Sequence, residues 1–511
     1  MSIPALGKFK TFFWPIHRNE YKKFLLMVSI FFLIAFNYNL LRAAKDSMIV
    51  TSSGAETIPF IKVWVLLPSA LLITYLFTRI SNKHTTEKVF YFMVGFFLLF
   101  FVFFALVLYP NREAWHPTAF TQMMENYLPS GLHGMIALVK NWVFTLFYVV
   151  SELWGTTILS VLFWGFANEV TAIPQAKRFY PLFGLGANIA TIASGQTIVK
   201  LSLINFNPKI PFGQTGWDQS ILFTMLAVIV IGLLLIVIFR ILNKQVLEKE
   251  PNFTKENLFK SKIKMSLRKN FSYLMKSKYL IYIAAIVLCY NITINLTEVL
   301  WKDQLRLLYP ETANYNAYMG QVFTFTGILA AITALFLTGN LLRRFSWTLN
   351  ALLSPAIILI TGALFFTCLW ANSSTIAPIA VFLGMTPLAL SVFLGTLQNA
   401  FARTAKFTLF DSTKEIAFIP LDRESKLKGK AAIDGVASRV GKSGGSIIYQ
   451  GLLFHFVTMA AITSYIATIF LSVGIVWVIC VRLLGKQFNV LTAQKETPAD
   501  LKTEPAAAVK S

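Results

Sequence analysis

Long apolar runs of bilayer-crossing length recur throughout the chain and leave few folds open to it. A helix needs about 20 apolar residues to cross the hydrocarbon core. Twelve segments meet that need: Phe24 to Leu41, Phe60 to Thr78, Val89 to Tyr109, Asn141 to Ala167, Tyr180 to Leu201 and Ile221 to Leu242, then Tyr279 to Trp301, Ala317 to Leu337, Leu349 to Trp370, Ile376 to Ala402, Ala431 to Phe456 and Met459 to Leu484. With 56% hydrophobic and only 14% charged residues, no soluble domain accounts for the 511 positions. Backbone polar groups in lipid must be satisfied within each span, and these runs are too long for barrel strands. The reading is an all-α integral membrane protein with twelve transmembrane helices.

A net charge of +23 raises nucleic acid as a partner, so the distribution of that charge matters. Counting loops alternately, one side collects Lys8, Lys10, Arg18, Lys22 and Lys23, then Arg79, Lys83 and Lys88, then Lys177 and Arg178, then Arg343 and Arg344. The same side holds two long loops, Arg240 to Lys278 with eleven Lys/Arg against three Asp/Glu, and Arg403 to Lys430 with seven against four. The positive-inside rule makes this side cytoplasmic, together with both termini. The basic balance is topology, and no nucleic-acid partner is predicted. The partner that matters is the lipid bilayer.

The basic N-terminus runs into the first span without a small-residue cleavage site, so it reads as neither a secretory signal nor a transit peptide and predicts a plasma membrane. Cys289, Cys368 and Cys480 lie inside spans and far apart in sequence, and the five histidines have no partners at ligand spacing. Neither a disulfide framework, a metal site nor a cofactor is predicted.

The basic segment 243–278 splits the helices six and six, the arrangement of a transporter built from two parallel bundles. The predicted domains are an N-terminal bundle, 1–242, the cytoplasmic linker, a C-terminal bundle, 279–484, and a cytoplasmic tail, 485–511. The halves echo each other: a Lys-Asp pair closes the opening helix of each, Lys45-Asp46 and Lys302-Asp303. Small residues recur every four positions at Gly186, Ala190 and Ser194 in helix five and at Gly441 and Gly445 in helix eleven, where they let helix backbones approach closely.

Lys45, Glu152, Glu298 and Lys442 lie in or beside these spans. A charge at membrane depth costs about 2.5 to 3.5 kcal/mol on insertion scales, so such residues face a protein-lined, wet cavity and mark a substrate path, or else form internal salt bridges that fix helix packing. In helix eleven Asp434, Ser438 and Lys442 share one face with Arg439 beside them. Arg42, Lys140 and Arg178 near other helix ends bring the cations above the carboxylates, which fits a strongly anionic solute. Lys and Arg from several helices suit an oligophosphate. Tyr38, Tyr148, Tyr290 and Trp301 offer rings for a base, and Asn291, Lys302 and Lys406 complete the secondary candidates. The string Gly435 to Ser443 has five residues between its glycines where a phosphate-binding loop has four, and its flanks are helical, so no nucleotide hydrolysis is predicted.

The motifs resemble those of a known family. They are L-R-A-A-K-D-S around Lys45, S-E-L-W-G-T and V-L-F-W-G-F-A-N after Glu152, N-I-T-I-N-L-T-E-V-L-W-K through Glu298 and Lys302, R-T-A-K-F-T-L-F-D-S-T-K-E-I-A-F-I-P-L-D from Arg403 to Asp422, and S-R-V-G-K-S-G-G around Lys442. Over roughly residues 20 to 485 the chain resembles the ATP/ADP translocases of plastids and intracellular bacteria. The resemblance implies a major-facilitator-like fold and counter-exchange of ATP and ADP, with Lys45, Glu152, Glu298 and Lys442 at the transport site. A plastid member carries a long transit peptide, so the expectation is a bacterial plasma membrane protein that is not an enzyme. Other nucleotides, NAD or proton coupling within the same family stay open, as does a passive anion channel. The expected mechanism is alternating access, with Glu152 and Glu298 pairing with Lys45 and Lys442 when the site is empty.

Overall fold

The computed structural model describes residues 16–249, 277–337, 341, 344–371, 373–422, 425, 429–430 and 432–496. Twelve long helices follow one another: α1 (Arg18–Ser53), α2 (Thr57–Ser81), α3 (Thr86–Leu108), α4 (Trp142–Val170), α5 (Pro174–Ser202), α6 (Gly216–Lys249), α7 (Lys278–Leu308), α8 (Thr312–Leu337), α9 (Trp347–Trp370), α10 (Pro387–Ala417), α11 (Ser438–Phe456) and α12 (Met459–Ala493). Ten of these are by themselves long and apolar enough to cross a membrane, and α10 joins them when paired with the short helix before it. α11, lengthened by the π-helical turn Ile433–Ala437, has the length, but Arg439, Lys442, Gln450 and His455 make it more polar than the others. Large apolar side chains at helical spacing, such as Leu226, Val230, Leu233 and Val237 on α6, stay exposed and form the lipid-facing surface.

Several boundaries differ from the sequence reading, for one physical reason. Hydropathy falls where charges enter a span, but the helix continues because the backbone must still be satisfied. α1 runs past Leu41 to Ser53 and carries Arg42, Lys45 and Asp46, while α7 runs past Trp301 to Leu308. The tenth span is corrected most. Residues from Ile376 belong to a separate short helix, Ser373–Phe382; Gly384 then turns with φ +69°, and α10 starts 75° away at Pro387. Thr386 caps it by accepting from Ala389 N at 3.1 Å. α10 continues to Ala417, so Arg403 and Lys406 sit on a helix and not in the expected loop. The expected tail boundary also moves, because the last helix extends to Glu496. Most of the expected linker, 250–276, and the tail from 497 onward lie outside the described residues.

Glycine seams bring the helices together. A Cβ on Gly195 of α5 would lie 2.6 Å from the Gly320 carbonyl oxygen and 2.7 Å from the Thr324 nitrogen of α8, so backbone meets backbone where the two sequence halves join. Gly441 and Gly445 of α11 fit against Asn291 and Asn295 of α7, each with 2.9 Å to a hypothetical Cβ. The small residues of α5 and α11 act in packing, as their spacing predicts. At the α5–α8 seam the added carbon would meet the Thr324 hydroxyl and, behind it, the rigid backbone of α8. Gly195→Ala is expected to cost about 1 to 3 kcal/mol and lower the thermal unfolding midpoint in detergent, whereas Gly451→Ala, with nothing within 4 Å of the added carbon, leaves it unchanged or higher. Equal midpoints for the two variants would contradict the backbone contact.

Candidate functional site

α1, α4 and α7 present polar and charged side chains at three- and four-residue spacing, which places them on one face of each helix. On α1 these are Arg42, Lys45 and Asp46; on α7, Glu298 and Lys302; on α4, Tyr148 and Glu152. The faces converge on a continuous series of ion pairs. Lys45 Nζ lies 3.3 Å from Glu152 Oε2 and 3.0 Å from Asp46 Oδ1, above the Tyr148 ring at 3.7 Å from its centre. The other oxygen of Asp46 lies 2.9 Å from Lys302 Nζ, which is 3.1 Å from Glu298 Oε1. That Glu298 oxygen also takes Arg403 at 3.1 Å and Arg42 at 3.5 Å. Helices of both halves therefore share one electrostatic cluster. Burial of so many charges is tolerated because Asp46 and Glu298 each have more than one cation and Glu152 has Lys45, and removal of one partner of a buried pair costs about 3 to 5 kcal/mol.

Access to the cluster is graded. The Lys45, Asp46 and Lys302 side chains are at most 3% exposed, while Glu152 reaches 28% and Lys406 33%. Lys442 is exposed at mid-span yet close enough to Glu152, Glu298 and Lys406 to act on them electrostatically. Lys442 is thus the solvent-reachable edge of the charged set. The buried floor of the cluster is the pair Asp46–Lys302. Beyond the floor, on the face where α1 ends, Ser47 bonds Asn316 at 3.0 Å, Asn316 bonds Ser202 at 2.7 Å, Thr51 meets Thr312 at 2.7 Å, and Gln450 ties α11 to Trp64 and to the Pro59 carbonyl at 3.0 Å each. Most of these bonds join the two halves. On the opposite, basic face the pairs Glu20–Arg178 and Lys414–Asp434 and the bond from Tyr279 to the Ala417 carbonyl each stay within one half. The first face is thus the closed one, cross-linked between the halves, and these bonds of the basic face do not cross between them.

The expected residues distribute unevenly over this site. Lys45, Glu152, Glu298, Lys302, Arg42 and Tyr148 meet in the cluster, and Lys442 faces it. Of the expected pairing of Glu152 and Glu298 with Lys45 and Lys442, Lys45–Glu152 forms, whereas Lys302, Arg403 and Arg42 occupy Glu298; among the described residues Lys442 has no carboxylate within 4.0 Å. Lys406 pairs with Asp411 at 2.7 Å and Asp434 with Lys414 at 2.7 Å, nearer the basic face, and Arg439 is exposed there. Lys140 is corrected: it is exposed at the end of the short helix His133–Lys140, on the closed face. Arg178 is corrected as well, since it clasps Glu20 through two 2.7 Å bonds at the basic end of α1. Asn291 packs in the α7–α11 seam and donates to the Val287 carbonyl. Tyr290 stacks on Phe410 at 4.6 Å and Trp301 is buried with its Nε1 donating to Thr396, so both rings belong to helix packing.

Three members of the cluster escaped the sequence reading. Arg403 falls in an expected loop because the expected span stops at Ala402, well short of the helix end at Ala417, and Asp46 stands in the sequence only as half of a repeated pair. Lys62 lies inside the expected second span, where the cost of an intramembrane charge would have singled it out. Its Nζ donates to Asn295 Oδ1 at 3.2 Å and stands close to Glu298 and Lys302. The cluster then holds Arg42, Lys45, Lys62, Lys302, Arg403 and Lys442 against Asp46, Glu152 and Glu298, an excess of three positive charges. π-helical turns stand beside this set at Ile61–Leu66, Gly155–Phe163, Lys406–Phe410 and Ile433–Ala437. Such turns carry an extra residue and re-aim neighbouring side chains, often at functional sites. The arrangement suits a polyanion bound between the halves.

Comparison with known proteins agrees. The model of the TLC ATP/ADP transporter family matches residues 2–488. The chain is 44% identical over 495 residues to ADP,ATP carrier protein 1 of Chlamydia trachomatis, covering 96% of this chain and 93% of that one, and 39% identical over 491 residues to the chloroplastic ADP,ATP carrier protein 1 of Arabidopsis thaliana, covering 96% and 77%. In fold it is similar to a bacterial homologue of the iron transporter ferroportin, with a TM-score of 0.59 and 11% identity over 92% of this chain and 100% of that one, and to a bacterial metal transporter, with 0.51 and 12% over 93% and 99%. The fold is thus an all-α one similar to these two membrane transporters, and the chain belongs to the TLC ATP/ADP transporter family.

Proposed function

We propose that the protein exchanges ATP for ADP across a bacterial plasma membrane by alternating access, without breaking a bond in either nucleotide. The observation that carries this reading is the cluster with three surplus positive charges, shared by the two halves and reached from the basic face. The positive-inside rule makes that face, and both termini, cytoplasmic. Residues 1–242 and 279–484 act as the two rocking bodies, joined by the basic linker 243–278 and followed by the tail 485–511. Phosphate oxygens bind Lys45 and Lys302 at the floor and Lys442, Arg403 and Arg42 on the walls, where charge-assisted bonds are about twice as strong as neutral ones.

The same geometry accounts for exchange. With the site empty, Asp46–Lys302 and Glu298–Arg42 hold α1 to α7, and breaking them would strand charges at membrane depth. A bound polyphosphate replaces those partners for the cations, so both halves can separate on the closed face only when loaded. Uptake of labelled ATP into proteoliposomes is therefore expected to depend on ADP inside. Uptake indifferent to internal nucleotide would exclude strict exchange, and uptake driven by an imposed pH gradient into empty vesicles would point to proton symport.

Substitutions separate binding from reorientation. Loss of a charge-assisted bond is worth about 1.5 to 3 kcal/mol, so Lys45→Ala, Lys302→Ala or Lys442→Ala should each reduce exchange at least roughly tenfold with membrane insertion intact; normal transport in any of them removes that residue from the site. Glu298→Gln releases Arg403, Arg42 and Lys302 without removing a cation. ADP binding, measured by equilibrium titration, should be retained while exchange falls, and a parallel loss of both would show that Glu298 shapes the pocket and does not govern reorientation.

A further inference from the structure

Lys62 and Lys442 share a feature within the cluster: among the described residues neither has a carboxylate within 4.0 Å. Both are organised by the same amide. Lys62 Nζ, from α2, donates to Asn295 Oδ1 at 3.2 Å, and Asn295 Nδ2 donates to the Lys442 main-chain carbonyl at 2.6 Å and to Ser446 Oγ at 3.1 Å. The Lys62 ammonium therefore sits at Asn295, between a helix of one half and two of the other, and the same amide fixes the Lys442 backbone. An ammonium has three donors, and here one of them meets a neutral amide oxygen. That is weak compensation for a cation at this depth.

Lys62 is held in place. The π-helical turn Ile61–Leu66 begins one residue before it, and the bonds from Gln450 to the Pro59 carbonyl and from Trp64 to Gln450 dock α2 on α11 on either side of it. A side chain fixed this firmly, and matched with no carboxylate, is a prepared anion site. We propose that Lys62 holds the terminal phosphate of the transported nucleotide and so reads the number of phosphates, exchanging its bond to Asn295 for one to a phosphate oxygen. This rests on the reading of the protein as an adenine nucleotide exchanger. Release of Asn295 also frees α2 from α7, so the contact that reports a full-length phosphate chain is the one that loosens the two halves.

The test is equilibrium binding of AMP, ADP and ATP to the full-length purified protein in lipid nanodiscs. In the wild type each added phosphate tightens binding. Lys62→Gln is expected to weaken ADP and ATP by about tenfold or more, the scale of one charge-assisted hydrogen bond, while AMP changes less than about twofold; Lys62→Arg, which keeps the charge, restores the dependence on phosphate number. If Lys62 only packs α2 against α7, Lys62→Gln will lower the melting temperature and weaken all three nucleotides in the same proportion, and the proposal falls. A wild type that binds none of the three would fall earlier, taking the exchange reading and this inference together.

Discussion

Charges do not stay at membrane depth unless something replaces water around them, and in this protein the replacement is a set of shared ion pairs. Asp46 serves two lysines and Glu298 serves three cations, so each carboxylate spreads its stabilisation over groups contributed by α1, α7 and α10. A simple one-to-one pairing would leave cations stranded in low dielectric. Sharing also leaves the cluster short of negative charge, and that deficit gives a polyphosphate its site. Stability of the empty protein and affinity for substrate are thus set by the same residues and pull in opposite directions.

The rest of the architecture keeps this cluster between two bodies that can part. Backbone contact at Gly195 and Gly320, with the side-chain bonds Gln196–Thr324 and Asn316–Ser202, joins the halves through α5 and α8, while the seam of Gly441 and Gly445 against α7 fixes the Lys442 backbone relative to Asn295. Small residues make close, smooth surfaces that tolerate sliding. Further polar cross-links between the halves are drawn from the closed face, where Ser47, Thr51, Asn316 and Thr312 meet. Hydroxyl and amide bonds of this kind are worth about 0.5 to 1.5 kcal/mol each, small enough for ligand binding to overcome several of them.

Much of this was legible in the sequence. Apolar length marks out the helices. The insertion cost of isolated charges picked out Lys45, Glu152 and Glu298, which the folded chain brings into one cluster, and Lys442, which faces it. What could not be read was partner choice. Lys45-Asp46 and Lys302-Asp303 look equivalent along the chain, yet Asp46 bridges both lysines whereas Asp303 lies 3.7 Å from Arg306, away from the cluster. That difference depends on which face α1 and α7 turn to each other, a tertiary property. Arg403 was lost because a charge was taken as the end of a helix, and the rings of Tyr290 and Trp301 because packing aromatics and base-binding aromatics have the same composition signal. Lys62 was the one omission that the argument from cost already covered.

The central claim is that phosphate takes over the cations now held by carboxylates. A structure of the protein with ADP bound tests it most directly. Phosphate oxygens should lie about 2.7 to 2.9 Å from cations of both halves, with the separation of Asp46 and Lys302 lengthened beyond the present 2.9 Å. Nucleotide bound elsewhere, with the ion pairs between α1 and α7 unaltered, would contradict it.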